Sequence, residues 1–159
     1  MTIPEDFNPV ERGEKAEELF KQGYNCCQAV VLAFSDILPV DSETLATIAS
    51  GFGGGFGRMR EVCGAVSGMT IMAGFIQPAT DHTSKTANYA LVQEFAAAYR
   101  EYNGSIVCRE LLGLAPGAPT PHVPADRSAD YYKKRPCGQL VRIAATIVAR
   151  KLLETVSIK

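Results

Sequence analysis

The 159-residue chain has no tryptophan, only two histidines and a net charge of −1. Sixteen Lys and Arg stand against 17 Asp and Glu. That balance excludes a dedicated nucleic-acid binder, because neutralising phosphates needs a strong excess of cations on one face. Long apolar runs are missing as well. The least polar stretch, Cys63 to Ile76, contains Ser67 and Thr70 and falls short of the roughly 20 residues that span a bilayer, so no membrane span is expected. The opening residues Met1 to Phe7 carry no basic segment followed by an apolar one, which predicts no secretory signal and a cytoplasmic location. No C-x-x-C pair occurs, and this weakens both a thioredoxin-type clip and a ribbon-type zinc site. One domain covering residues 1–159 is long enough to bury roughly 70% of the surface of its unfolded chain. Neither a metal nor a disulfide is therefore needed merely to hold the fold.

What is present reads as helix almost throughout. Asn8-Pro9 opens a helix carrying Ala16, Leu19 and Phe20 until Gly23 stops it, and Asn25 caps a second that runs to Pro39 with Val30, Val31, Phe34 and Leu38 on one face. A short helix follows Asp41. Gly51 to Arg58 is too glycine-rich for regular structure and forms a loop. Residues 62–77 are small or apolar all round, which predicts a helix buried on every face, and Gly64 and Gly68, four apart, clear one stripe for another backbone. Ser84 to Tyr102 is amphipathic through Leu91, Phe95, Ala98 and Tyr102. Ser105 caps a short helix through Leu112, a proline-rich loop covers 114–124, and a last helix starts at Pro136 with Leu140, Ala144, Ile147, Val148 and Leu152 inward. No strand run stands out. The expected class is all-α, a single-domain irregular or orthogonal bundle of about six or seven helices.

Five cysteines break the blandness of this composition. Each falls in the first turn of an expected helix, where unpaired N–H groups and a partial positive charge favour thiolate over thiol. Arg58 and Arg60 precede Cys63, Arg109 adjoins Cys108, and Lys133, Lys134 and Arg135 precede Cys137. Magnitude limits the effect. Lowering a thiol pKa from about 8.5 to about 7 takes roughly 2 kcal/mol, while an exposed helix terminus supplies about 0.3–1 kcal/mol. A terminus must therefore combine with a nearby cation and partial desolvation. By helical angle Cys27 centres on the bulky stripe and belongs to the core, whereas Cys26 is turned about 100° away from it. Four candidates remain: Cys26, Cys63, Cys108 and Cys137.

Gly23-Tyr24-Asn25-Cys26, the segment Gly51 to Arg58, Cys63-Gly64-Ala65-Val66-Ser67-Gly68, Gly104 to Gly113 with Cys108, and Cys137 together resemble the C_GCAxxG_C_C family of redox-active proteins. The likeness runs from about residue 15 to about residue 150, with Cys27 as an added neighbour of the first family cysteine. It implies redox activity through the four cysteines and brings no defined substrate.

Three readings of these residues stay open. Two or more of the four thiols form a reversible disulfide with no cofactor, or all four bind zinc or an iron–sulfur cluster, or they are small buried residues of a helical interaction domain. Separations of 37, 45 and 29 residues require the fold to gather them. The Gly-rich loop does not fit G-x-G-x-x-G, since Phe56 occupies the third glycine slot, but Gly53, Gly55 and Arg58 are candidates for an N–H-rich contact with a cofactor or small anion. His82 and His122 lie in loops as solvated residues, either able to complete a mixed metal site, and Tyr131-Tyr132 lead into the basic run. A redox partner or a small anionic molecule fits these features, and a homo-oligomer is left open.

Overall fold

The structure, a computed structural model, describes residues 1–158. Its helices are α1 (Pro9–Lys21), α2 (Cys26–Leu32), α3 (Ser42–Ile48), α4 (Gly64–Ile76), α5 (Lys85–Asn103), α6 (Cys108–Leu111), α7 (Ala129–Lys134) and α8 (Cys137–Thr155), with a 3-10 turn at Ser50–Phe52. The helical class follows the expectation, with one short helix more. Two strands, β1 (Thr2–Ile3) and β2 (Ser157–Ile158), pair in parallel and tie the two ends of the described chain together. At two residues each they are too short to leave a periodic signal.

The caps of α1, α2 and α3 act where the sequence placed them. The Asn8 side chain accepts from Val10 N at 2.9 Å ahead of Pro9, and Asn25 forms a capping box with Gln28, its side chain accepting from Gln28 N at 2.8 Å while Gln28 Oε1 accepts from Asn25 N at 3.0 Å. Helix α8 packs most extensively on α1, and α2 on α4. The stripe cleared by Gly64 and Gly68 is where α2 arrives. A Cβ on Gly64 would lie 3.1 Å from Cys26 Cβ, and one on Gly68 would lie 2.8 Å from Val30 Cβ. The Cys-Gly-Ala-x-x-Gly segment thus seats the first turn of α2 against the first turn of α4, so Cys26 and Cys63 become neighbours.

Four expectations are corrected. Helix α2 ends at Leu32 rather than near Pro39, because Arg12 from α1 donates to the Ala33 carbonyl at 2.8 Å and to Asp36 Oδ2 at 2.7 Å, and tight turns carry Phe34 and Leu38 into the core instead. Helix α4 is buried on every face only in its first half, with Thr70 and Gly74 reaching solvent. On α5 the inward stripe is Leu91, Phe95 and Tyr99, while Tyr102 is 60% exposed: each step of four turns the face by about 40°, so the buried stripe winds away from the expected line through Ala98 and Tyr102. Ser105 does not cap α6. Val107 is the N-cap, and the Ser105 hydroxyl accepts from Val107 N at 3.0 Å one turn earlier.

No helix among the described residues is long and apolar enough to cross a membrane.

Candidate functional site

Four helix starts converge on one cavity of about 360 Å³. Cys26, Cys63, Cys108 and Cys137 all line it, whereas Cys27 is fully buried in the core behind them. All five cysteines are free thiols. Cys26 is the first residue of α2, Cys63 is the N-cap of α4, and Cys108 and Cys137 open α6 and α8.

A single antiparallel bridge, Val62 to Val107, brings the second and third cysteines together. Cys63 N donates to the Ile106 carbonyl at 2.8 Å and Cys108 N to the Glu61 carbonyl at 2.6 Å. With side chains alternating along each strand, Cys63 and Cys108 both point away from the Val62–Val107 face. The Cys63 sulfur lies 3.3 Å from the Tyr99 hydroxyl, and the Cys108 sulfur accepts from Arg60 Nη1 at 3.7 Å.

Placement at a helix start does not by itself make a thiolate. Burial pushes the pKa of Cys63 and Cys108 up; Tyr99 opposes this at the first and Arg60 at the second without reversing it. Burial also lifts Cys27 to about 12. Cys137 goes the other way. Its thiol pKa is lowered from 9.0 to about 7, first by a hydrogen bond from Cys26 and then, against desolvation, by Arg135, Arg60 and Arg127. The same contact raises Cys26, which keeps its proton. Cys137 alone meets all three requirements, standing half-buried at the start of a 19-residue helix among guanidinium groups. Pro136 precedes it and offers no capping side chain to the first N–H groups.

The Gly-rich loop builds another wall. Residues 54–58 all take positive φ, including Phe56 at 61° and Arg58 at 67°, and Arg60 follows at 63°. For residues with side chains this costs on the order of 1–2 kcal/mol each. Backbone bonds from Gly57 N to Gly51 O at 2.8 Å and from Arg58 N to Gly53 O at 3.0 Å hold the left-handed turn. Gly53 packs on Asn25, where an added Cβ would lie 2.7 Å from Asn25 Cβ, and lines the cavity. Gly55 lies behind Cys108 rather than on the cavity wall, with room for no Cβ between Glu61 N at 2.7 Å and Cys108 Cβ at 2.8 Å. The Arg58 guanidinium spans to the proline-rich loop, donating to the carbonyls of Pro121, at 2.9 Å, and Val123. His122 from that loop lines the cavity, whereas His82 is exposed and remote.

Two contributors escaped the sequence reading. Tyr99 had a readable signal, a step of four beyond Phe95. Arg127 had none: from an irregular segment it donates to the carbonyls of Phe20 and Tyr24 and lies 4.3 Å over the Phe20 ring. Tyr131 lines the cavity beside it from α7, the helix that the expected order omitted.

Among the described residues, no group of three or more His, Cys, Asp or Glu side chains is placed to hold one metal ion. No curated protein and no solved structure matches the chain. The family model described as "Putative redox-active protein (C_GCAxxG_C_C)" matches residues 24–151, and with four gathered cysteines and the Cys63-to-Gly68 motif in place, the chain belongs to that family.

Proposed function

We propose that the protein is a dithiol–disulfide redox protein in which Cys137 attacks and Cys26 resolves. The observation that carries this reading is geometric: Cys26 and Cys137 open α2 and α8 on one cavity, near enough to shift each other's acidity in opposite directions. A hydrogen bond between them places the negative charge on Cys137 and leaves the proton on Cys26. An attacking thiol works best with a pKa near the ambient pH, and Cys137 sits there.

The step is an ordinary exchange. The Cys137 thiolate attacks one sulfur of a partner disulfide, whose S–S bond breaks and releases one thiolate. Cys26 then gives up its proton to solvent and its sulfur attacks Cys137 Sγ, displacing the second thiolate. The partner gains two electrons and becomes two thiols, the protein becomes the Cys26–Cys137 disulfide, and an external dithiol returns it by the reverse sequence. Cys63 and Cys108, raised by burial, stay protonated and do not start the exchange.

The test is trapping. With a mild aromatic disulfide, Cys26→Ser accumulates a stable mixed disulfide on Cys137, and Cys137→Ser reacts far more slowly at every remaining cysteine. Equal reactivity of Cys137→Ser and the unmodified chain contradicts the assignment.

A further inference from the structure

The cavity is electrostatically one-sided. Arg58, Arg60, Arg127 and Arg135 line it, and no Asp or Glu does. Among the described residues none of the four forms an ion pair with a carboxylate. Three of these guanidiniums have fixed duties. Arg58 and Arg127 bind backbone carbonyls, and Arg60, only 9% exposed, points at the Cys108 sulfur. Arg135 donates no side-chain hydrogen bond to any described residue and rests 5.6 Å from the Tyr131 ring, two residues before Cys137. Arg60 and Arg135 both lie close enough to Arg58 to repel it. The Cys137 thiolate offsets one of these four charges, and the cationic excess that remains in a partly desolvated cavity favours the entry of a further anion.

Size and lining narrow the ligand. A volume of about 360 Å³ exceeds what a single inorganic oxyanion fills and falls at the lower end of organic-ligand sites. Phe20, Leu111, Leu112 and Leu140 supply apolar wall for a carbon skeleton. We propose that the substrate is a small organic disulfide bearing anionic groups, carboxylate or phosphate, which Arg135 holds while its S–S bond faces Cys137. This inference rests on the dithiol reading of the same site. The bonds made and broken are those given above: two small anionic thiols leave, and the Cys26–Cys137 disulfide remains.

The experiment uses the full reduced chain and three small disulfides of different charge: dithiodipropionate, hydroxyethyl disulfide and cystamine. Oxidation of Cys137 is followed by its loss of alkylation, at a pH above its titration and at low salt. Each rate is divided by that of the same disulfide with a neutral monothiol, which cancels intrinsic reactivity. The anionic disulfide is expected to exceed the neutral one by about tenfold or more, with cystamine slowest, as a cleft of one charge sign produces. Added salt shrinks the gap. In Arg135→Gln the ratio of anionic to neutral rate contracts toward one; taking a ratio removes the accompanying change in Cys137 acidity. Equal normalised rates, or cystamine fastest, overturn the substrate class while leaving the dithiol reading standing. Failure of even the neutral disulfide to oxidise Cys137 and Cys26 together overturns the dithiol reading itself. If Arg135→Gln fails to fold, the three-disulfide series on the unmodified chain still decides.

Discussion

Replacing Cys26 separates its role as proton donor from its role as resolving thiol. Lowering Cys137 from 9.0 to about 7 corresponds to about 3 kcal/mol in favour of thiolate, since each pKa unit is roughly 1.4 kcal/mol. The hydrogen bond from Cys26 is the largest contribution, ahead of Arg135, Arg60 and Arg127. A hydrogen bond to an ionised group is worth about 1.5 kcal/mol at the low end. Cys26→Ala therefore lifts the Cys137 pKa by about one unit, with the arginines holding the remainder. Cys26→Ser keeps an O–H donor of similar reach and holds the pKa near its original value. The assay is the pH profile of Cys137 alkylation in each variant, with peptide mapping to report that residue alone. An unchanged profile in Cys26→Ala, or identical profiles in the two variants, refutes the hydrogen bond as the cause of the lowering.

Tyr99→Phe removes the hydroxyl 3.3 Å from the Cys63 sulfur; that contact opposes the effect of burial, so the Cys63 alkylation midpoint rises further while circular dichroism stays helical. Gly68→Ala places a Cβ 2.8 Å from Val30 Cβ at the α2–α4 contact and costs about 1–3 kcal/mol in urea unfolding, as overpacking does; a neutral result contradicts the close approach of the two helices. Stability also follows pH with a definite sign. Cys27, lifted to about 12, keeps its proton in the folded chain while the unfolded chain loses it above 9.0, so this contribution is complete below 9.0 and is lost as pH rises toward 12. The loss is about 1.4 kcal/mol per pH unit for one such thiol. Cys137 has the opposite sign, contributing stability that is present above 9.0 and lost as pH falls through about 7. Cys26, Cys63 and Cys108, also raised, act with the sign of Cys27, so urea unfolding under reducing conditions should strengthen above about 7, turn over before 9.0 and weaken beyond, and a monotonic profile contradicts the opposed shifts.

Much of this site could be read before any coordinates. Local rules carried α1, α3, α5 and α8, because Asn8-Pro9, Asp41, Asn103-Gly104 and Pro136 are start and stop signals that act within one turn. The four-plus-one division of the cysteines followed from helical angle, and the fold puts Cys27 in the core and the other four on the cavity. Acidity was not legible in the same way. A shared first-turn position suggested four activated thiols, but desolvation outweighs a helix terminus at Cys63 and Cys108, and only Cys137 combines partial exposure, a long helix and several cations. The Val62–Val107 bridge and the reach of Arg127 to Phe20 join segments far apart in sequence, so no window of neighbouring residues encodes them. The early end of α2 is likewise tertiary, set by Arg12 from another helix.

The central claim, that Cys26 and Cys137 are the working pair, is tested most directly by disulfide mapping. The reduced chain is treated with one equivalent of a mild disulfide oxidant, the remaining thiols are alkylated, and the digest is analysed by mass spectrometry. The account predicts one dominant cross-link, Cys26 to Cys137, with Cys63, Cys108 and Cys27 alkylated. A dominant Cys63–Cys108 link, or a Cys137 that stays alkylatable while other cysteines pair, would contradict it.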